Sequence, residues 1–86
     1  MDDAVISEIR TVLKAQGRLS SDVESVPVDA SLYEAGMTSH ASVNVMLGLE
    51  DAFDIEFPDR MLTRNVFESI GSIAAAVSEL QEEEAA

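Results

Sequence analysis

The 86 residues include no cysteine and a single histidine, His40. Without thiols there is neither a disulfide nor a cysteine nucleophile, and one imidazole cannot build a zinc site from the usual Cys and His sets. His40 follows Ser39, but neighbouring helix positions point about 100° apart, so the two do not form a nucleophile and base within one helix. No catalytic residue and no metal ligand is assigned, and thiol chemistry would have to arrive with an added group. Positive charge is also scarce. Five Lys and Arg against 17 Asp and Glu leave a net charge of −12, which argues against a nucleic-acid partner. No stretch approaches the ~18 apolar residues of a membrane span, and the chain opens Met-Asp-Asp rather than with a basic region and an apolar run. A soluble, cytoplasmic, monomeric protein with no membrane partner is expected.

The charge is unevenly placed. All five bases, Arg10, Lys14, Arg18, Arg60 and Arg64, lie outside residues 19–59, a segment that holds Asp22, Glu24, Asp29, Glu34, Glu50, Asp51, Asp54, Glu56 and Asp59. The segment is either a solvated acidic face or a docking face for basic partners. Asp51, Asp54, Glu56 and Asp59 lack the glycine and spacing of a calcium loop.

Hydrophobic spacing predicts helices. Val5, Ile6, Ile9, Val12 and Leu13 mark one face of a first helix over 3–16, with Asp2 or Asp3 as its cap and Gly17 as its stop. Residues 18–38 carry no sustained period, and a connection this long is usually functional or partly structured. Within it a helical turn is expected over 31–35, started by Asp29 or Ala30 and ended by Gly36, with Leu32 and Met37 pinned to the core. A second helix runs from Ser39 to Phe53, with Ser42, Val45, Met46, Leu49, Ala52 and Phe53 as its core side. Val43 and Leu47, at i and i+4 off that side, form a candidate contact patch. The alternating run 54–58 has no pairing partner and reads as an extended loop. Asp59 is expected to cap a short helix through Leu62. A last helix starts at Ser69 and buries Ile70, Ile73, Ala74, Val77 and Leu80. Residues 1–80 make one domain, and the acidic tail 81–86 is expected to fray.

Ser39 is the candidate site. Its hydroxyl stands where a loop becomes a helix, and unpaired N–H groups with the positive end of the helix dipole favour an attached anion by about 0.3–1 kcal/mol. The plainer reading is that Ser39 is an N-cap and nothing more.

The order of long helix, long loop, Gly36-x-x-Ser39 at a helix start, then Glu50-Asp51-Ala52-Phe53-Asp54 and Phe57-Pro58-Asp59 resembles the acyl and peptidyl carrier protein family over nearly the whole chain. The resemblance implies an all-α four-helix bundle with a long first loop and a short third helix. It also implies that Ser39 accepts 4′-phosphopantetheine from coenzyme A, through a phosphopantetheinyl transferase, and that the arm's thiol carries a substrate as a thioester. The family's common Asp-Ser-Leu stands here as Thr38-Ser39-His40, and the front of the second helix carries neutral Ala41, Ser42 and Asn44 where fatty-acid carriers place acids. Gly36-Met37-Thr38-Ser39-His40 looks most like small stand-alone carriers that receive amino acids from ligases resembling truncated seryl-tRNA synthetases. Expected partner contacts are Thr38, His40, Val43, Leu47, Glu50 and Asp51, and the downstream acceptor is unspecified. The expected function is that of a non-enzymatic aminoacyl carrier. The alternatives are an acyl carrier for fatty-acid, polyketide or related synthesis and, from another class, an unmodified helical interaction module.

Overall fold

The computed structural model describes residues 3–17, 19 and 22–85. Among them all regular structure is helical: α1 (Asp3–Val12), which widens into a π-helical segment over Leu13–Gly17, α2 (Ser39–Phe53) and α3 (Ile70–Ala85), with 3-10 turns at Val23–Ser25 and Asp59–Met61. The radius of gyration, 11.7 Å, is close to the about 12 Å expected for a folded chain of this length.

The apolar stripe of α1 is buried as its spacing requires: Val5, Ile9, Val12 and Leu13 are in the core, with Ile6 packed at its edge. α1 packs against both α2 and α3. Its contact with α2 is close. A Cβ on Gly48 of α2 would come within 2.8 Å of Val12 Cγ1, so the crossing requires glycine. Gly17 acts in the same way and not as a left-handed cap: its φ is not positive, and a Cβ there would sit 3.3 Å from Leu13 Cδ2. At the other end of α1, Asp3 is the acid of the first turn, and Asp2 lies outside the described residues.

The connection between α1 and α2 has no long period because it is fixed by single anchors. Val23 and Val26 are buried around a 3-10 turn capped by Asp22, and the Arg10 guanidinium donates from Nη1 to the carbonyls of Val23 (2.6 Å) and Val26 (2.9 Å). Further along, Leu32 N–H donates to Glu68 O and Gly71 N–H to Val28 O, tying the connection to the entry of α3. Leu32 and Met37 are buried as expected.

Two expectations need correction. The core side of α2 is Ala41, Val45 and Leu49; Ser42, Met46 and Phe53 are half-buried, and Ala52 is exposed. The helix is therefore rotated toward its i, i+4 row of Ala41, which hydrophobicity alone undervalued. Second, the expected short third helix is a 3-10 turn, Asp59–Met61, preceded by Pro58 with no side-chain cap, so Asp59 lies inside the turn. Three α-helices, not four, are present among the described residues. α3 itself runs on through Ala85, into the acidic tail for which fraying is expected. Arg60 reaches Glu79 (3.6 Å) and Glu83 (3.0 Å) and offsets the run of acids there. Ser69 opens α3 as expected, its Oγ accepting Ser72 N–H at 3.1 Å.

The run 54–58 is extended, with Ile55 and Phe57 buried on alternate positions. Phe57 meets Phe67 edge to face at 5.4 Å between ring centroids. Asp54 ends α2 in the left-handed region (φ 54°), its N–H bonded to Glu50 O.

Candidate functional site

The chain reaches α2 through a tight turn. Residues 32–36 form a single helical turn in which Ser31 Oγ, rather than Asp29 or Ala30, accepts the Glu34 N–H at 3.4 Å. Gly36 closes it at φ 114°, a conformation that glycine adopts without steric cost. Met37 N–H then bonds back to Leu32 O at 3.0 Å, and the Met37 side chain enters the core. This drives the next residue, Thr38, into an extended conformation (φ −85°, ψ 166°) at the threshold of the helix.

Thr38 is the N-cap. Its Oγ1 accepts the Ala41 N–H at 3.0 Å, and its carbonyl accepts the Ser42 N–H at 2.9 Å. Ser39 is thus the first helical residue and not the cap, which removes the plainer reading of its hydroxyl. Among the described residues no hydrogen bond occupies Ser39 Oγ, and the residue is exposed. The amides of Ser39 and His40 have no protein acceptor among the described residues either, as befits a helix start.

Ser39 borders an open cleft of about 530 Å³ between α2 and the segment following Asp59–Met61, walled by Val43, Met46, Leu62 and Phe67. Val43 and Leu62 are 51% and 45% exposed, so the rim is apolar and accessible. In the wall of the same cleft the Arg64 guanidinium lies 4.0 Å from the Tyr33 ring centroid. The free hydroxyl, the unoccupied first-turn amides and an open cleft with apolar walls suit an anionic group joined to a long, mostly uncharged arm.

Of the expected contacts, Val43 shares the cleft with the candidate attachment residue Ser39. Thr38 is engaged in capping, His40 is exposed on the first turn, and Leu47 is 53% exposed farther along α2. Asp51 is exposed, but Glu50 is half-buried and its Oε2 accepts the Phe57 N–H at 2.8 Å. Glu50 therefore holds the 54–58 run in place before it meets any partner. Tyr33, Leu62 and Arg64 were not marked by the sequence, because each becomes part of the cleft only when the long connection folds onto α2. No group of three or more His, Asp or Glu side chains gathers into a metal site, and no helix is long and apolar enough to cross a membrane, among the described residues.

Residues 3–77 match the phosphopantetheine attachment site family, and the chain belongs to that family, whose cofactor is 4′-phosphopantetheine and whose role is carriage rather than catalysis. It is 49% identical over 69 residues to the aminoacyl carrier protein of Agrobacterium fabrum, covering 80% of this chain and 83% of that protein. Among solved structures it is similar to a chain in the complex of an engineered Bradyrhizobium japonicum glycine:[carrier protein] ligase with a carrier protein from Agrobacterium tumefaciens and ATP. There the TM-score is 0.85 at 45% identity, covering 87% of this chain and 97% of that one. A third match is in the complex of the Bradyrhizobium japonicum ligase with glycylated carrier protein, with TM-score 0.65 and 31% identity over 86% of this chain and 95% of the other.

Proposed function

We propose that Ser39 bears 4′-phosphopantetheine and that the protein carries an activated amino acid as a thioester between separate enzymes. The observation that carries this reading is the division of labour at the start of α2: Thr38 caps the helix, so Ser39 presents an unengaged hydroxyl beside an open cleft. In the attachment step, Ser39 Oγ forms a bond to the phosphorus next to the pantetheine of coenzyme A. The P–O bond to the remaining phosphate breaks, 3′,5′-ADP leaves, and the hydroxyl proton passes to a base of a phosphopantetheinyl transferase. When bound, the group supplies the thiol that this cysteine-free chain lacks.

The amino-acid cargo is supported by the aminoacyl carrier relatives and by the glycine ligase complexes. The start of α2, where neutral Ala41, Ser42 and Asn44 stand, weakens electrostatic steering toward enzymes that dock on an acidic helix front. Loading is assigned to an amino acid:carrier protein ligase resembling a truncated seryl-tRNA synthetase, with delivery to an acceptor still to be identified. The carrier unit spans 1–80 as a four-helix type of fold whose third helix is reduced to the turn at Asp59–Met61. It works as a monomer in the cytoplasm, where coenzyme A and activated amino acids are made.

The experiment is to expose the protein to coenzyme A and a phosphopantetheinyl transferase, then offer the modified form glycine and other amino acids with such a ligase, and separately malonyl groups with a fatty-acid transferase. Intact mass should show one phosphopantetheine and then one aminoacyl group. Preferential malonyl loading would return the acyl-carrier alternative, and a chain that stays unmodified would be an interaction module.

A further inference from the structure

Among the described residues the basic side chains are nearly all engaged. Arg10 holds two backbone carbonyls, Lys14 pairs with Glu24, and Arg60 pairs with Glu79 and Glu83. Arg64 is different. Among the described residues it meets no carboxylate and no carbonyl, although the chain has 17 acids, and its guanidinium lies over the face of Tyr33 in the wall of the cleft that Ser39 borders. Stacking of this kind fixes the plane of a guanidinium and leaves its edge N–H donors free. The rest of the lining is apolar at Val43, Met46, Leu62 and Phe67 and otherwise holds only the hydroxyl residues Ser39, Ser42 and Thr63, so no carboxylate in the cleft competes for those donors.

We infer that Arg64 is the intramolecular counter-ion of the phosphodiester on Ser39, a positioning residue that holds the root of the arm against the cleft. The inference rests on the attachment proposed above and adds to it a residue that the sequence pattern does not mark. The chemistry is the charge-assisted, two-point pairing of a planar guanidinium with phosphate oxygens. Tyr33 orients the guanidinium before the anion arrives, which lowers the ordering cost of the contact. A second consequence concerns the far end of the arm. The same positive charge disfavours return of an aminoacyl ammonium to the cleft, so the root is held while the loaded end faces outward.

The test uses the isolated protein, with no enzyme bound. Intact mass first establishes that wild type, Arg64→Gln and Arg64→Lys are fully modified. The Arg64 Nε–Hε resonance is then compared between apo and holo wild type, and the 31P resonance among the three holo proteins. The Arg64 resonance should move on modification, and the 31P resonance should move in Arg64→Gln and by a smaller amount in Arg64→Lys, which keeps the charge but loses the fork. Added salt should shift the wild-type 31P line toward its position in Arg64→Gln. Full modification with an unmoved Arg64 resonance and a 31P line indifferent to Arg64→Gln overturns the inference while leaving the proposed function standing. A chain that takes up no phosphopantetheine overturns both. Should Arg64→Gln fail to fold, the apo-to-holo comparison in wild type decides alone.

Discussion

The Thr38 hydroxyl accepts the Ala41 amide at 3.0 Å, and this one bond separates capping from chemistry at the start of α2. The cap and the candidate attachment residue are neighbours, so each can be altered without the other. Thr38→Ala should lower stability by about 1 kcal/mol, the usual worth of a hydroxyl cap, with Thr38→Ser close to wild type. Ser39→Ala should unfold at nearly the wild-type urea concentration. Equal losses at both positions would mean that Ser39 shares the cap.

Glu50 is a second separable case. Its carboxylate accepts Phe57 N–H at 2.8 Å, a bond to a charged acceptor worth about 1.5–3 kcal/mol when buried, and toward the low end for a half-exposed group. Glu50→Ala should therefore cost about 1.5 kcal/mol, and Glu50→Gln less. Amide exchange of Phe57 should rise in both. Unchanged exchange with weakened ligase binding would instead make Glu50 a contact residue only.

Gly48 and Val12 should be coupled. Gly48→Ala gains about 1 kcal/mol of helix propensity, but its Cβ would press on Val12 Cγ1 at 2.8 Å, and a β-branched side chain has little freedom to turn away. The overpacking cost of about 1–3 kcal/mol wins, giving net destabilisation. Adding Val12→Ala removes the clash, so urea unfolding of the double variant should show a smaller loss than the sum of the singles. Strict additivity would contradict the close crossing.

The Lys14 ammonium, bonded to Glu24 at 2.9 Å, has its pKa raised above 10.5 by that hydrogen bond, with the charge of Glu24 adding to the effect. A raised folded pKa adds stability that is fully present below the unfolded value and lost as pH rises through the folded one. Both side chains are more than half exposed, so the contribution is small. Denaturant midpoints of wild type and Lys14→Met should differ slightly at pH 7 and converge as the pH rises through the raised Lys14 value. A gap that widens with pH would give the pair the wrong sign.

Much of this was legible in sequence, for physical reasons that differ by region. The α2 bounds follow from Thr38-Ser39 and Phe53-Asp54, and the buried faces of α1 and α3 from β-branched and leucine spacing. The face of α2 was misread because Ala41 is small yet fully packed, while Met46 and Phe53 are larger yet only half-buried. The turn at Val23–Ser25 was missed because Arg10, distant in sequence, organises it. Ser39 and Val43 could be picked from motif and spacing. Arg64 and Tyr33 could not, since their pairing exists only once residues 31 places apart meet.

The central claim is that Ser39 carries the arm and the arm carries an amino acid. Its most direct test is the intact mass of protein isolated from its native cell, before and after thioester-specific release, beside Ser39→Ala. Wild type should show one phosphopantetheine plus a labile amino acid, and Ser39→Ala should show neither while keeping its helical spectrum. Modification retained in Ser39→Ala, or release of medium or long acyl chains from wild type, would contradict the account.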